Sequence, residues 1–148
     1  MSLQRRNRFT LLATILGSTI VFLDATVVAV ALPALQQDLD TGLAAQQWVV
    51  EAYLLALVAL LLVGGSLGDL YGRRRLFMLG LAGFGVASLL CAVAPSTGLL
   101  IGGRALQGMA GALLVPGSLA ILAATFEGAA RGKAIGTWTA WSAISTVV

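Results

Sequence analysis

The feature that most constrains the fold of this chain is a series of apolar runs, each roughly 20 residues long. An α-helix needs about 20 residues to cross the hydrocarbon core of a bilayer. Charged residues make up only 10% of the 148 residues, against about 25% in soluble domains. The sequence therefore lacks the charge for a water-facing surface. It predicts an all-α, polytopic transmembrane helix bundle embedded in a lipid bilayer.

The runs predict about five spanning helices in a single domain, residues 1–148. The first run contains Asp24 and is longer than a signal-peptide core of about 7–15 residues, so we interpret it as an uncleaved helix that ends near Pro33. The last run stops after about 15 apolar residues, short of a full span. We therefore expect the chain to be the amino-terminal part of a longer protein. The predicted helices cover residues 9–35, 46–66, 76–94, 97–125 and 134–148.

Basic residues outside the runs collect in alternate connections. They lie at the amino end, after the second run and after the fourth run: Arg5, Arg6, Arg8, Arg73, Arg74, Arg75, Arg131 and Lys133. Positive charge accumulates on the cytoplasmic side of membrane proteins. We predict a multi-pass protein of the cell (plasma or inner) membrane with its amino terminus in the cytoplasm. The same rule explains the net charge of +3 without a nucleic-acid partner.

Three ionisable residues fall inside the apolar runs: Asp24, Glu51 and Arg104. A charge at the bilayer centre costs at least ~2.5–3.5 kcal/mol on insertion scales, which makes each a candidate functional residue. The helical rise places Asp24 roughly 14 Å below Pro33, Arg104 roughly 10 Å deep and Glu51 roughly 5–8 Å from the outer boundary. All three are thus expected to reach one water-accessible cavity that opens outward.

Proton exchange is the function that these residues favour. Apolar surroundings favour a protonated carboxyl, whereas a nearby guanidinium favours the carboxylate. A carboxyl balanced between the two effects can bind and release a proton. Two structural alternatives remain: an Asp24–Arg104 ion pair that only locks two helices together, and a Glu51 side chain that simply reaches the interface.

The residues needed for an enzyme or a metal site are missing from the sequence. The chain has no histidine and one cysteine, Cys91, which excludes a Cys/His metal cluster and an intrachain disulfide. It also lacks the phosphate-binding loop G-x-x-x-x-G-K-[ST]. We predict no enzyme and no bound cofactor, with a transmembrane proton gradient as the energy source.

A polar stretch between the second and third runs has a pattern of its own. It combines four-residue glycine spacing, which lets helices pack closely, with one acid and a basic cluster: Gly65, Gly68, Asp69, Gly72, Arg73 and Arg74. Membrane orientation accounts for the arginines. It does not account for the glycines or for Asp69.

Four motifs in order resemble those of the major facilitator superfamily, in particular its 14-helix drug:proton antiporter group. The stretch from Gly65 to Arg74 is similar to the family signature between helices two and three, with Leu70 where a basic residue often stands. The stretches 23–33 and 48–55 resemble motifs of the first and second helices. A fourth-helix motif is formed by Arg104, Gln107 and Gly108, with Ala110 where glycine is common.

The resemblance implies proton-coupled efflux of drugs or other amphipathic or cationic small molecules by alternating access. It implies that Asp24 and Arg104 take part in proton coupling and substrate handling. It also implies that Asp69 and the signature arginines form part of a gate against the carboxy-terminal half of the transporter, which this chain lacks. The chain alone is therefore predicted to be inactive. The helix-five antiporter motif of the family does not occur before Val148, so the motifs leave the direction of transport open.

Two other functions fit parts of the sequence. One is a major facilitator permease or an exporter of an endogenous metabolite. The other is a membrane scaffold or oligomerisation module that docks through its glycine faces. Docking alone does not require charges inside the membrane, which disfavours the scaffold.

Overall fold

The described part of the chain, residues 3–39 and 42–145 of a computed structural model, is almost entirely helical and contains no strand. The helices follow one another with short connections: α1 Leu3–Leu39, α2 Leu43–Tyr71, α3 Arg73–Ala92, α4 Thr97–Thr125 and α5 Gly128–Ile144. The predicted all-α fold class is thereby confirmed.

Four of the five helices, α1 to α4, are long and apolar enough to cross a membrane. Large apolar side chains point outward from the bundle, among them Leu62, which is 87% exposed, and Val58 and Leu89. Such a surface suits lipid, not water. The described part of α5 has 17 residues, slightly short of a full span. The prediction of about five spanning helices is thus confirmed for four of them.

The helices extend beyond their predicted bounds at several ends. α1 continues past Pro33 to Leu39, because a proline in a membrane helix can be accommodated when local adjustments satisfy the freed carbonyl. α5 begins at Gly128, so Arg131 and Lys133 lie on its first turns instead of in a loop. The end of the fifth predicted helix, residues 146–148, lies outside the described residues.

The polar stretch is divided between two helices and is not an extended turn. Gly65, Gly68 and Asp69 belong to α2, whereas Arg73 begins α3. The single residue between the helices is Gly72, with φ +97° and ψ 120°. A side chain is strongly disfavoured at that φ, so glycine allows the abrupt change of direction.

α4 is the central helix, and it packs against all four others. Its approach to α2 is close at two glycines. A Cβ on Gly64 would lie 2.1 Å from the Ala112 carbonyl oxygen, and one on Gly108 would lie 2.3 Å from the Tyr53 carbonyl oxygen. Close packing by small residues was predicted from the glycine spacing. However, Gly98 and Gly102, which have that spacing, face no atom within 4 Å in the described structure.

Two apolar clusters surround the centre of the bundle. The larger one joins the four helices α1, α2, α3 and α4 through Val21, Tyr53, Phe77, Phe84, Ala110 and Leu114. The smaller one joins α1, α4 and α5 through Ile15, Leu122, Ala134 and Trp138. Between them they fix α4 relative to α1, which is the relationship on which the candidate site depends.

Candidate functional site

The centre of the site is an ion pair between α1 and α4. The Arg104 Nη1 donates to the Asp24 Oδ2. Only 2% of the Arg104 side chain is exposed, against 16% of the Asp24 side chain. The two intramembrane charges predicted to interact are therefore in contact. The carboxylate is the member of the pair with access to its surroundings.

Arg104 has further partners that do not depend on Asp24. Its Nε donates to the Val49 carbonyl oxygen over 3.2 Å, and its Nη1 also donates to the Gln107 Oε1 over 2.9 Å. The guanidinium carbon lies 4.2 Å from the centroid of the Tyr53 ring, within the range of a cation–π interaction. The guanidinium is thus held by α2 as well as by α4.

Gln107 links Asp24 to the third helix. Its Nε2 donates to the Asp24 Oδ1 over 3.0 Å and to the Ser88 Oγ over 2.9 Å. The Cys91 thiol lies 3.4 Å from the Gln107 Oε1. The Gln107 carboxamide therefore contacts both members of the ion pair, Asp24 and Arg104, and two residues of α3.

Tyr53, Ser88 and Cys91 were not predicted as site residues. The ring of Tyr53 supports Arg104, and its hydroxyl donates to the Val21 carbonyl oxygen over 2.9 Å. Ser88 and Cys91 contact Gln107 as described above. Both stand in an apolar run in which small residues usually serve packing. Their three-residue spacing, which puts them on one helix face, was the only available signal.

Glu51 does not join this cluster. Val49 and Tyr53 are buried on the face of α2 that meets Arg104, whereas Glu51, midway between them in sequence, is exposed. A residue two positions along a helix points to nearly the opposite side. Within the described part of the chain, no hydrogen bond or ion pair connects Glu51 to Asp24 or Arg104. Of the three charges that were expected to share one cavity, the structure brings two, Asp24 and Arg104, into contact.

The signature residues form a separate polar group where α2 ends and α3 begins. Arg73 donates to the Asp69 Oδ1 through Nε over 3.0 Å and through Nη2 over 2.8 Å. Its Nη1 also donates to the Ala120 carbonyl oxygen of α4 over 3.1 Å. Asp69 remains 64% exposed. Together with Gly65 and Gly68 these residues line an open groove that also reaches Arg131 of α5.

A third polar group connects α1, α4 and α5. The indole Nε1 of Trp138 donates to the Ser18 Oγ over 3.0 Å. Ser18 in turn donates to the Ser118 Oγ over 2.9 Å, and Ser118 donates to the Val115 carbonyl oxygen over 2.8 Å. All three side chains are buried. Because each hydroxyl has both a donor and an acceptor partner, this group is best explained as a structural link.

The arrangement around Asp24 permits two protonation states with few unsatisfied groups. As a carboxylate, Asp24 accepts from Arg104 and Gln107. If Asp24 binds a proton, Arg104 keeps the Val49 carbonyl, the Gln107 oxygen and the Tyr53 ring as partners. Removing one partner from a buried ion pair usually leaves an uncompensated charge, which costs several kcal/mol. The additional partners of Arg104 reduce that penalty.

Among the described residues, no cluster of three or more His, Cys, Asp or Glu side chains could hold a metal ion.

Several known proteins similar to this chain carry names that describe resistance or export. It is 44% identical over 137 residues to the "Tetracenomycin C resistance and export protein" of Streptomyces glaucescens. It is 47% identical over 133 residues to the "Puromycin resistance protein pur8" of Streptomyces alboniger. It is 46% identical over 134 residues to the "Multidrug efflux pump LfrA" of Mycolicibacterium smegmatis.

These matches cover most of this chain but a small part of each relative. They include 93%, 89% and 87% of the chain, respectively, and 26%, 26% and 27% of the relatives. The chain thus spans about a quarter of the length of the curated relatives that it matches. The family model described as "Major Facilitator Superfamily" matches residues 14–148. With the helix order and the buried Asp24–Arg104 pair, this match shows that the chain belongs to the Major Facilitator Superfamily.

Proposed function

We propose that these residues act in a full-length transporter that exports drugs or other amphipathic or cationic small molecules in exchange for protons. The names of the relatives support export, since they describe tetracenomycin C export, puromycin resistance and multidrug efflux. Membership of a transporter family also favours transport over catalysis. The observation that carries the proposal is the buried Asp24–Arg104 pair between α1 and α4.

In the proposed mechanism, protonation of Asp24 loosens the link between α1 and α4. A charge-assisted hydrogen bond is roughly twice as strong as a neutral one, so a neutral Asp24 holds Arg104 less firmly. Arg104 then relies on its contacts with Val49, Tyr53 and Gln107. The proton changes the balance between two arrangements of the bundle, because it binds one of them more tightly than the other. Alternating access in such folds occurs around a site near the bilayer midplane.

Two further parts of the proposal concern placement. The basic residues in the first turns of α1, at the start of α3 and in the first turns of α5 would face the cytoplasm at the cell membrane. The exposed carboxylate of Asp69 and the groove beside it would face the carboxy-terminal half of the transporter and form part of a gate. Glu51 remains a candidate for proton or substrate handling, in a role separate from the Asp24–Arg104 pair.

Drug susceptibility of cells that express the natural gene product containing this chain tests the proposal. The wild-type protein should raise the inhibitory concentration of puromycin or tetracenomycin C in a susceptible host. Asp24→Asn, which keeps the shape of the side chain but cannot exchange a proton, should remove that protection. Glu127→Gln serves as the matched control, because Glu127 is an exposed acid outside the spanning helices α1–α4. Full resistance in Asp24→Asn would contradict the coupling role.

The rival function of metabolite transport makes a different prediction in the same cells. A permease or exporter of an endogenous metabolite would leave drug susceptibility unchanged and would alter the accumulation of a labelled metabolite. A membrane scaffold would change neither drug susceptibility nor the accumulation of the metabolite. Liposomes that contain only residues 1–148 provide a further check, because this part alone is expected to show no drug-dependent proton flux.

A further inference from the structure

Ser88 of α3 lies one hydrogen bond away from the ion pair and has no role in the function proposed above. Its Oγ accepts from the Gln107 Nε2 over 2.9 Å. The same Oγ donates to the Phe84 carbonyl oxygen over 2.8 Å. A serine hydroxyl has a single hydrogen. Because that hydrogen is directed at Phe84, Ser88 can only accept a hydrogen bond from Gln107.

This constraint fixes which way the Gln107 carboxamide points. With its nitrogen toward Asp24 and Ser88, the carboxamide donates to two acceptors, and its oxygen accepts from the Arg104 Nη1. The Cys91 thiol lies on the oxygen side as well. A rotated carboxamide would place its oxygen against the Asp24 carboxylate and its NH2 group against the guanidinium. Its oxygen would then face two acceptors, Asp24 and Ser88, and its NH2 group would face two donors, Arg104 and Cys91.

We propose that Ser88 is a positioning residue for proton coupling, which holds the nitrogen of the Gln107 carboxamide toward the Asp24 carboxylate. This inference rests on the proposed function. The two hydrogens of the Gln107 nitrogen have different acceptors, Asp24 and Ser88. In the carboxylate state the bond to Asp24 is charge-assisted, and such a bond favours the charged form of the acid. In the protonated state that bond is weaker, so the orientation that Ser88 maintains contributes less. Ser88 therefore stabilises the carboxylate state more than the protonated state.

In the described part of the chain, few charged or titratable groups lie around Asp24, so its protonation can be followed with little interference. Arg104 contributes the cation from α4, and Tyr53 of α2 lies under that guanidinium. From α3, the titratable group near the cluster is the Cys91 thiol, which contacts the far side of Gln107. Removing the Ser88 hydroxyl changes none of these groups directly.

Infrared difference spectroscopy of the purified natural gene product, titrated with pH, tests the proposal. The carboxyl band of Asp24 is assigned by its loss in Asp24→Asn. In Ser88→Ala, the proton affinity of Asp24 should rise, on the order of fivefold at most, the effect of one neutral hydrogen bond. Ser88→Thr keeps a hydroxyl and should restore the wild-type midpoint. Ser66→Ala is the matched control, because the Ser66 hydroxyl bonds to the carbonyls of Leu62 and Val63 in its own helix, far along the chain from the ion pair.

An unchanged midpoint in a folded Ser88→Ala protein would overturn the proposal, as would an equal shift in Ser66→Ala. If Ser88→Ala does not fold, Ser88→Cys decides, because sulfur is a weaker acceptor and this variant should raise the proton affinity of Asp24 by a smaller factor. A wild-type midpoint in Ser88→Cys would then overturn the proposal. The titration requires no transport. Absence of drug-dependent proton flux in the wild-type protein would contradict the proposed function and leave the spectroscopic result on Ser88 to be judged separately.

Discussion

The backbone carbonyl of Ala112 in α4 occupies the place that a side chain on Gly64 of α2 would take. A Cβ on Gly64 would lie 2.1 Å from that oxygen. Pro116, four residues after Ala112, has no N–H to donate to this carbonyl. The carbonyl that the proline leaves without its helical partner thus faces the backbone of α2, where only glycine fits. This contact, with the one between Gly108 and the Tyr53 carbonyl, allows the close approach of the two helices that hold Arg104.

Gly64→Ala should destabilise the bundle by about 1–3 kcal/mol, because the added methyl group overpacks the contact of α2 with α4. The measurement is the thermal unfolding midpoint of the purified protein in detergent. Gly65→Ala is the control in the same helix, since a Cβ there would make an ordinary contact of 3.7 Å with Pro116. Equal losses in both variants would show that the close approach does not determine stability.

Gly72→Ala should also destabilise the protein, by about 1–3 kcal/mol, because an alanine is strained at φ +97°. Gly85→Ala should be neutral or slightly stabilising, since no atom lies within 4 Å of a Cβ there and alanine favours a helix. Chemical denaturation of the two variants under the same conditions provides the comparison. A Gly72→Ala protein as stable as wild type would mean that the break between α2 and α3 tolerates a side chain.

Arg104→Lys should impair transport at least tenfold and lower stability by about 1–3 kcal/mol. A lysine keeps the charge but not the planar set of donors. It cannot hold Asp24, Gln107 and the Val49 carbonyl at once, so a buried acceptor loses its partner. Drug efflux from loaded cells and thermal unfolding of the purified protein measure the two effects.

The control for that variant is Arg8→Lys, at an exposed position near the start of α1, where little change is expected. Transport at the wild-type rate in Arg104→Lys would show that a positive charge is sufficient at this position. The hydrogen-bond geometry would then have no part in coupling.

From their depths in the membrane, the sequence predicted that Asp24 and Arg104 share one cavity, and it offered an ion pair between them as a structural alternative. It could not distinguish Glu51 from these two, since depth along a helix does not give the direction of a side chain. The α2 face that bears Val49 and Tyr53 meets Arg104, and Glu51 lies on the other side. A prediction from the face of the helix as well as from depth would have separated them.

The parts of the structure that were missed are those set by neighbouring helices. Ser88 and Cys91 have no charge to mark them, and their role depends on where Gln107 lies. The continuation of α1 past Pro33 was missed because proline usually ends a helix in water. Similarly, the cations Arg131 and Lys133 indicated a loop but lie on the first turns of α5. Charge marks the membrane boundary, not the end of a helix.

Asp69→Asn should leave stability nearly unchanged and impair transport. The Asp69–Arg73 pair is exposed, and such pairs contribute about 0.2–1 kcal/mol. A gate that uses the Asp69 carboxylate against the rest of the transporter would nonetheless lose its charge. The check is to compare the unfolding midpoint and the drug efflux rate of this one variant. Full transport activity in Asp69→Asn would show that the Asp69 carboxylate is not needed for a gate. The arginines of the signature stretch would then keep their role in membrane orientation.

Drug-driven proton movement across liposomes that contain the natural gene product tests the central claim most directly. The wild-type protein and Glu127→Gln should both move protons against added drug, as reported by a dye sensitive to pH inside the liposome. Asp24→Asn should bind drug and show no drug-dependent proton movement. Proton movement at the wild-type rate in Asp24→Asn would contradict the claim that the buried Asp24–Arg104 pair couples protons to export.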